Sequence, residues 1–334
     1  MKSARHRESL YCGLGGDQNG LALATKRLDS LISALSINDM QTDAFLLGYE
    51  FSRIFHLASI MRLCLPAIGK RALLHVVPVP PNVDPDFYSG YLKARAFGDA
   101  DTIGRPVLWP CAFEYVHQCL LGGVKHSVAA MPTGSGKSFI GEIAVSQAIH
   151  DGWALYLAPT NALTEQIRAD LRKGLKELGT EIFAFIGDQE YSIFSTDRVD
   201  DMPANSVAVM TPEKCALALR LSPMAFNNCR IVVFDECHLI GETGSSRGPV
   251  AELVLTQLML RAPDCRFLLM SAIVQNPDEL AEWLAEATDS SSVPVTIRWR
   301  PTRTLRSVLG LDNKSIQKRA KDAVSYTHLT LPTN

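Results

Sequence analysis

From residue 127 onward, short apolar runs alternate with longer stretches of mixed apolar and polar residues. The run Ile231-Val232-Val233-Phe234 is continuously apolar, as expected for a strand buried on both faces of a sheet. The stretches between such runs carry apolar residues at helical spacing. This alternation predicts a parallel sheet covered by helices on both faces, with the chemistry at the carboxyl ends of the strands. The predicted strands are residues 153–158, 182–186, 206–210, 230–234, 266–270 and 293–297, and the predicted helices are residues 137–150, 162–178, 213–221, 249–261 and 278–287.

The N-terminal region has a different pattern. Residues 21–37 and 41–65 carry apolar residues three and four apart, which predicts helices that pack on each other, with a docking surface as the alternative. Residues 77–85 contain four prolines and predict an extended linker. We therefore divide the chain into a helical leader (1–76), a proline-rich linker (77–105), a main domain (106–297) and a following segment (298–323).

The last residues resemble translated adapter DNA. Residues 324–333 match one reading frame of the transposon-end adapter used in sequencing libraries. We expect residues 324–334 to be an artefact of that origin and the natural reading frame to continue, the alternative being a natural tail.

The amino-acid composition indicates the cellular compartment but does not identify a binding partner. Of the 334 residues, 47% are apolar and the net charge is -2, so a nucleic-acid contact would need a local basic patch. The eight cysteines form no C-x-x-C pair, which argues against a zinc ribbon and predicts reduced thiols in the cytoplasm. No signal peptide is apparent, and the longest apolar region, residues 55–68, is too short to span a bilayer. We expect no membrane association.

The run T-G-S-G-K-S lies between a strand and a predicted helix. Its glycines let backbone N–H groups turn towards phosphates, and the following helix presents the positive end of its dipole. The lysine supplies a charge for the outer phosphates and the last serine a ligand for Mg²⁺. Met131 stands where the general pattern has glycine. We predict an ATP site, rather than a glycine turn with a solvated lysine, formed by Thr133, Gly134, Ser135, Gly136, Lys137 and Ser138.

Two adjacent carboxylates, Asp235 and Glu236, follow the apolar run at 231–234. They are costly at the end of a buried strand unless they hold a cation and a water. We predict that Asp235 binds Mg²⁺ together with Ser138, and that Glu236 deprotonates the water that attacks the γ-phosphate. We predict a coupling role for His238, the alternative being a surface or core histidine without a special role. We predict that Cys237 is a packing residue. The predicted catalytic residues are Lys137, Asp235, Glu236 and His238.

The phosphate loop, then Asp235-Glu236-Cys237-His238, then Ser271-Ala272 resemble in this order the motifs of the superfamily 2 helicases and translocases of the DEAD/DEAH type. The resemblance implies a RecA-like P-loop domain that uses ATP and Mg²⁺ to move on a single strand of RNA or DNA. It also implies that Ser271 and Ala272 couple hydrolysis to movement. The residues that it places on the sugar–phosphate backbone are Pro159, Thr160, Gly187, Thr211 and Pro212.

Further pieces resemble the superkiller-like group of these helicases. They are Arg247-Gly248 with Glu252, Asn276 with residues 279–284, and residues 299–303, which resemble the crossing into a second RecA-like domain. The glutamine that reads adenine in many relatives has no counterpart at residues 111–113, and the nearest one is Gln118. In the family the second domain supplies arginines to the reacting phosphate, so we expect this chain alone to hydrolyse ATP slowly.

Two other functions remain open from the sequence. One is a motor subunit of a restriction or phage-defence system, and the other is a nucleotide-binding scaffold with a vestigial ATPase. Intact Lys137, Asp235 and Glu236 argue against the scaffold. The choice between RNA and DNA, the direction of travel and any protein partners are not determined.

Overall fold

The computed structural model describes residues 18–39, 45–99, 102–186, 202–241, 247–297 and Trp299. Within these residues the strands are β1 (His126–Ala130), β2 (Trp153–Leu157), β3 (Glu181–Ala184), β4 (Ser206–Met210), β5 (Cys229–Asp235), β6 (Arg266–Ser271) and β7 (Ser292–Thr296). They form one parallel sheet in the order β3-β4-β2-β5-β6-β1-β7. The predicted parallel sheet is confirmed, and each strand that the pattern predicts has its ends within two residues of the predicted ones.

Helices lie before the sheet and on both of its faces. They are α1 (Gln18–Asp39), α2 (Phe45–Arg71), α3 (Leu73–Val76), α4 (Pro85–Phe97), α5 (Pro110–Tyr115), α6 (Lys137–Ala148), α7 (Asn161–Gly174), α8 (Pro212–Leu221), α9 (Arg247–Arg261) and α10 (Pro277–Thr288). Four of them begin with proline, whose missing N–H costs nothing in the first turn of a helix. None of these described helices is long and apolar enough to cross a membrane.

Alternate residues of each strand supply two separate cores. In β2, Ala154 and Tyr156 pack with α4, α5, α6 and α7, whereas Trp153 and Leu155 pack with α8, α9 and α10 on the other face. This division follows from the two-residue period of a strand. Both faces of the sheet are therefore covered by helices, so polar side chains can cluster only at the ends of the strands.

The helical leader is confirmed for the residues that the structure describes. Helices α1 and α2 pack through Leu28 and Leu65, and Arg62 pairs with Asp29 at 2.8 Å. Helix α2 continues past Pro66 to Arg71, six residues beyond the predicted end. A side chain at Gly69 would come within 2.7 Å of Leu21, so this glycine permits the close approach of the two helices.

The division of the chain into domains stays a prediction, but the segment 77–105 is not extended throughout. Residues 77–84 contain no helix, whereas α4 follows directly. Asp84 accepts a hydrogen bond from the Asp86 N–H and Pro85 takes the first helical position, so this sequence starts a helix. Tyr88 and Tyr91 of α4 are buried in the core of the main domain. The predicted segments at 300–323 and 324–334 lie outside the described residues.

Candidate nucleotide and nucleic-acid sites

Because the strands are parallel, the segments that follow them meet at one edge of the sheet. Three of the predicted motifs lie at the ends of the neighbouring strands β1, β6 and β5. The phosphate loop follows β1, Ser271 ends β6 and precedes Ala272, and Asp235 ends β5 and precedes Glu236. The neighbours β2 and β4 are followed by Pro159-Thr160 and Thr211-Pro212. The predicted site residues thus fall into two adjacent groups, one for the nucleotide and one for nucleic acid.

The phosphate loop has the backbone that its glycines predict. Gly134 and Gly136 have φ values of 75° and 99°, which L side chains rarely adopt. No side chain caps α6 at Gly136, so its first N–H groups can serve an anion. Met131 has no such φ value, is buried, and extends the sheet by donating its N–H to the Ser271 carbonyl at 3.0 Å. A glycine is therefore not required at the first position of this loop.

The side chains of Lys137 and Glu236 form an ion pair at the carboxyl edge of the sheet. Lys137 Nζ lies 3.1 Å from Glu236 Oε1, and both side chains are largely buried. The Glu236 backbone is left-handed, with φ of 54°, an uncommon conformation for a residue with a side chain. Its N–H donates to Asp235 Oδ1 at 3.0 Å. This turn directs the two consecutive carboxylates of the acidic pair to different partners.

The environment of Asp235 disfavours the negative charge of its carboxylate. Burial raises the pKa of the Asp235 carboxyl above its ordinary value, and the neighbouring Glu236 adds to this shift while Lys137 opposes it. A divalent cation would offset this repulsion. Local charge therefore fits the predicted role of Asp235 as a metal ligand.

The other half of the predicted metal site is close by. Ser138 and Asp235 line the same cleft, which has a volume of about 290 Å³. Among the described residues, no cluster of three or more His, Cys, Asp or Glu side chains could hold a metal alone. A hydroxyl and one carboxylate suit Mg²⁺, which in nucleotide sites takes its remaining ligands from phosphates and water.

His238 and Ser271 connect to the proposed base. His238 Nδ1 lies 3.0 Å from Ser271 Oγ and 3.2 Å from Glu236 Oε2. Ser271 Oγ is 3.4 Å from the same carboxylate oxygen and accepts the Ile273 N–H at 3.2 Å. Two of the three residues predicted to have a coupling role, His238 and Ser271, therefore contact each other and Glu236. Ala272 follows Ser271 directly, and Cys237 is buried as predicted.

Pro159, Thr160 and Thr211 of the second group line a groove of about 360 Å³ between the N-termini of α7 and α8. Thr160 is exposed, and its hydroxyl caps α7 by accepting the Leu163 N–H at 3.3 Å. Thr211 is buried, as are Pro159 and Pro212. Gly187 lies outside the described residues. Of the four predicted backbone contacts that the structure describes, Thr160 is thus the most accessible.

Arg247 joins the two sides of this groove. Its Nε donates to Glu213 Oε1 on α8 at 2.9 Å, and its Nη2 donates to the Pro159 carbonyl ahead of α7. Although partial burial alone would raise the pKa of Glu213, hydrogen bonds led by that from Arg247 hold it below its ordinary value. Lys214 also lines the groove. The sequence singled out Arg247 only through resemblance and did not signal Lys214.

A model of the DEAD/DEAH box helicase family matches residues 113–280, half of the chain. This chain belongs to the DEAD/DEAH box helicase family. The resemblance inferred from the order of the motifs is thereby confirmed.

This helicase-family chain is similar to curated archaeal proteins. It is 32% identical over 203 residues to "ATP-dependent DNA helicase Hel308" of Pyrococcus horikoshii, covering 60% of this chain and 26% of that protein. The protein of the same name from Thermococcus kodakarensis is 34% identical over 206 residues, covering 61% of this chain and 17% of that protein. The chain thus spans about a quarter or less of these relatives.

Among solved structures, the DUF1998 helicase MrfA bound to DNA and AMPPNP is 23% identical. The match covers 73% of this chain and 35% of that one, with a TM-score of 0.49.

Proposed function

We propose that this chain is part of an ATP-dependent helicase or translocase, in which Mg²⁺-dependent ATP hydrolysis drives movement along a single nucleic-acid strand. The observation that carries the proposal is the meeting of Lys137, Asp235 and Glu236 at one edge of the sheet, with Lys137 Nζ 3.1 Å from Glu236 Oε1. A cation for phosphate, a carboxylate for the metal and a carboxylate for water are the groups that γ-phosphate hydrolysis requires.

The chemistry follows from these positions. The Lys137 ammonium binds the outer phosphates, which compete with Glu236 for its charge. Glu236, released from that ion pair, orients a water molecule and accepts its proton. Ser138 and Asp235, which line the same cleft, would hold Mg²⁺, and this ion would neutralise charge on the phosphates. His238 and Ser271 hold the carboxylate of Glu236 in position.

The groove between α7 and α8 supports binding of a nucleic-acid backbone. Two helix N-termini border it, and Lys214 and Arg247 together outweigh the one negative charge of Glu213 in its lining. Such contacts position a strand without reading its sequence. The similar archaeal proteins are named DNA helicases, which favours DNA as the strand.

We propose a cytoplasmic location, which the spacing of the cysteines in the sequence predicts. Since the chain spans only part of its relatives, we expect a second RecA-like domain to complete the motor. An arginine supplied by such a domain raises the rate of nucleotide hydrolysis by roughly 10³- to 10⁵-fold. Binding is therefore a sharper readout than turnover for this chain.

The test measures binding of AMPPNP with Mg²⁺ and of a fluorescent single-stranded DNA. Lys137→Ala should abolish AMPPNP binding, whereas Lys176→Ala, a change at an exposed lysine, should retain it. Undiminished AMPPNP binding by Lys137→Ala would contradict the nucleotide site. Failure of the unmodified chain to bind single-stranded DNA or RNA in the presence of AMPPNP would contradict the motor function.

A further inference from the structure

One flank of the phosphate loop is formed by the start of α5. A side chain atom at Gly136 would lie 3.5 Å from Cε3 of the Trp109 ring. Two residues after Trp109, Cys111 is buried in the same core as Met131, which precedes the loop. Trp109 therefore stands directly against the loop that precedes Lys137.

The Trp109 ring is not enclosed by protein. It is 45% exposed, and Trp299, its neighbour, is 36% exposed. The two ring centroids lie 5.4 Å apart with an angle of 68° between the planes, so the rings form a corner. Contiguous exposed apolar surface of this kind marks a candidate ligand-binding site. A flat ring stacked on one indole would meet the edge of the other.

This flank offers little that could read the edge of a base. Cys111 and Ala112 are buried, and Phe113 carries no polar group. Gln118, the first amide side chain after Trp109, donates its Nε2 to Glu114 Oε1, and its Oε1 is buried. The side chains of residues 109–113 thus present aromatic surface without an amide or hydroxyl group.

A nucleotide with its phosphates in the loop projects its ribose and base beyond the loop. We infer that Trp109, with Trp299 as the second wall, holds that base by stacking, so that the site accepts purine and pyrimidine nucleoside triphosphates alike. The inference rests on the proposed nucleotide site and adds to it the class of ligand. Stacking tolerates any base, because every base has a π-face. Sites that read hydrogen-bonding groups instead reject analogues by roughly 10⁴-fold or more.

The test compares dissociation constants of the β,γ-imido analogues of ATP, GTP and UTP with Mg²⁺. All three should bind within about ten-fold of one another. Trp109→Ala should weaken all three by roughly ten-fold, and Trp109→Phe, which keeps a ring, should weaken them less. Phe87→Ala, which removes an exposed aromatic ring on α4, is the matched control and should change none.

A preference for the ATP analogue above ten-fold, or a Trp109→Ala variant that binds like the unmodified chain, would overturn the inference and leave the proposed ATP site intact. If no analogue binds, the proposed nucleotide site itself is wrong. If Trp109→Ala does not fold, as judged by circular dichroism, Trp299→Ala and the selectivity of the unmodified chain decide.

Discussion

Lys137 and Glu236 are 99 residues apart in the sequence, yet Lys137 Nζ and Glu236 Oε1 lie 3.1 Å apart. The proposed phosphate-binding cation thus neutralises the proposed base. Any phosphate that enters the loop competes with Glu236 for the same ammonium group. Binding of the nucleotide and release of the base are therefore linked.

Glu236→Gln tests this link. The amide cannot accept a proton and competes less for Lys137, so we expect AMPPNP affinity to be kept or increased. ATP turnover, measured by phosphate release, should fall by roughly 10²- to 10⁴-fold. Turnover equal to that of the unmodified chain would mean that Glu236 is not the base.

Ser271→Ala tests the connection between the base and the neighbouring strand. It removes the hydroxyl that lies 3.0 Å from His238 Nδ1 and accepts the Ile273 N–H. We expect the stimulation of ATP turnover by single-stranded DNA to fall more than the turnover without DNA. Ser290→Ala, at the opposite edge of the sheet, is the control. An equal loss with and without DNA would assign Ser271 to hydrolysis alone.

Arg247→Ala should weaken binding of single-stranded DNA by roughly ten-fold, the equivalent of about 1.4 kcal/mol. The change removes charge from the groove and the link from Glu213 to the Pro159 carbonyl. Arg261→Ala, at the other end of α9, is the matched control.

The salt dependence of DNA binding separates two roles for Arg247. If its guanidinium contacts a phosphate, the slope of log K against log salt should fall by about one. An unchanged slope with weaker binding would show that it only positions the helix ends. Unaltered affinity would exclude the groove as the strand site.

Arg95 and Glu142 should govern the stability of the contact between α4 and α6. They form a two-pronged ion pair, with both side chains 8% exposed and Arg95 Nη2 2.9 Å from Glu142 Oε2. Arg95→Ala leaves a buried carboxylate, so we expect the free energy of unfolding to drop by about 3 to 5 kcal/mol in a urea titration. Arg168→Ala, which breaks the exposed pair with Glu165, should cost less than about 1 kcal/mol. Equal effects of the two changes would contradict the structural role of α4.

His126 should make the fold sensitive to acid. Burial lowers its pKa to about 4, and Nδ1 accepts the Phe267 N–H at 3.1 Å, so the folded state favours the neutral ring. The unfolded chain, with an ordinary pKa near 6.5, takes up the proton first as the pH falls. Stability should therefore decline between pH 6.5 and 4 by up to about 1.4 kcal/mol per pH unit.

The control for this pH dependence is a pair of substitutions. His126→Asn can keep an acceptor for the Phe267 N–H but does not titrate, so the slope of stability against pH should become shallower. Leu57→Asn, which places the same side chain at an exposed position, should leave the slope as it was. Identical slopes for the unmodified chain and His126→Asn would show that other groups cause the acid sensitivity.

The features that the sequence predicted are local ones. Glycines at 134 and 136 permit the left-handed backbone that the phosphate loop adopts, and the apolar run at 231–234 favours a strand buried on both faces. The features that it missed depend on distant partners. Prolines at 78–85 suggested a linker, whereas Tyr88 and Arg95 bind α6 some fifty residues away. Trp109 and Trp299 are likewise brought together only by the fold.

The sequence by itself determined the kinds of chemical group present and the element that carries each one, because spacing and residue type act over a few positions. The tertiary structure alone decided which strand ends are neighbours. The order β5-β6-β1 places Glu236, Ser271 and Lys137 together, while β2 and β4 place Thr160 beside Thr211. Strand order arises from packing between segments far apart in the chain, so no local pattern encodes the 3.1 Å between Lys137 and Glu236.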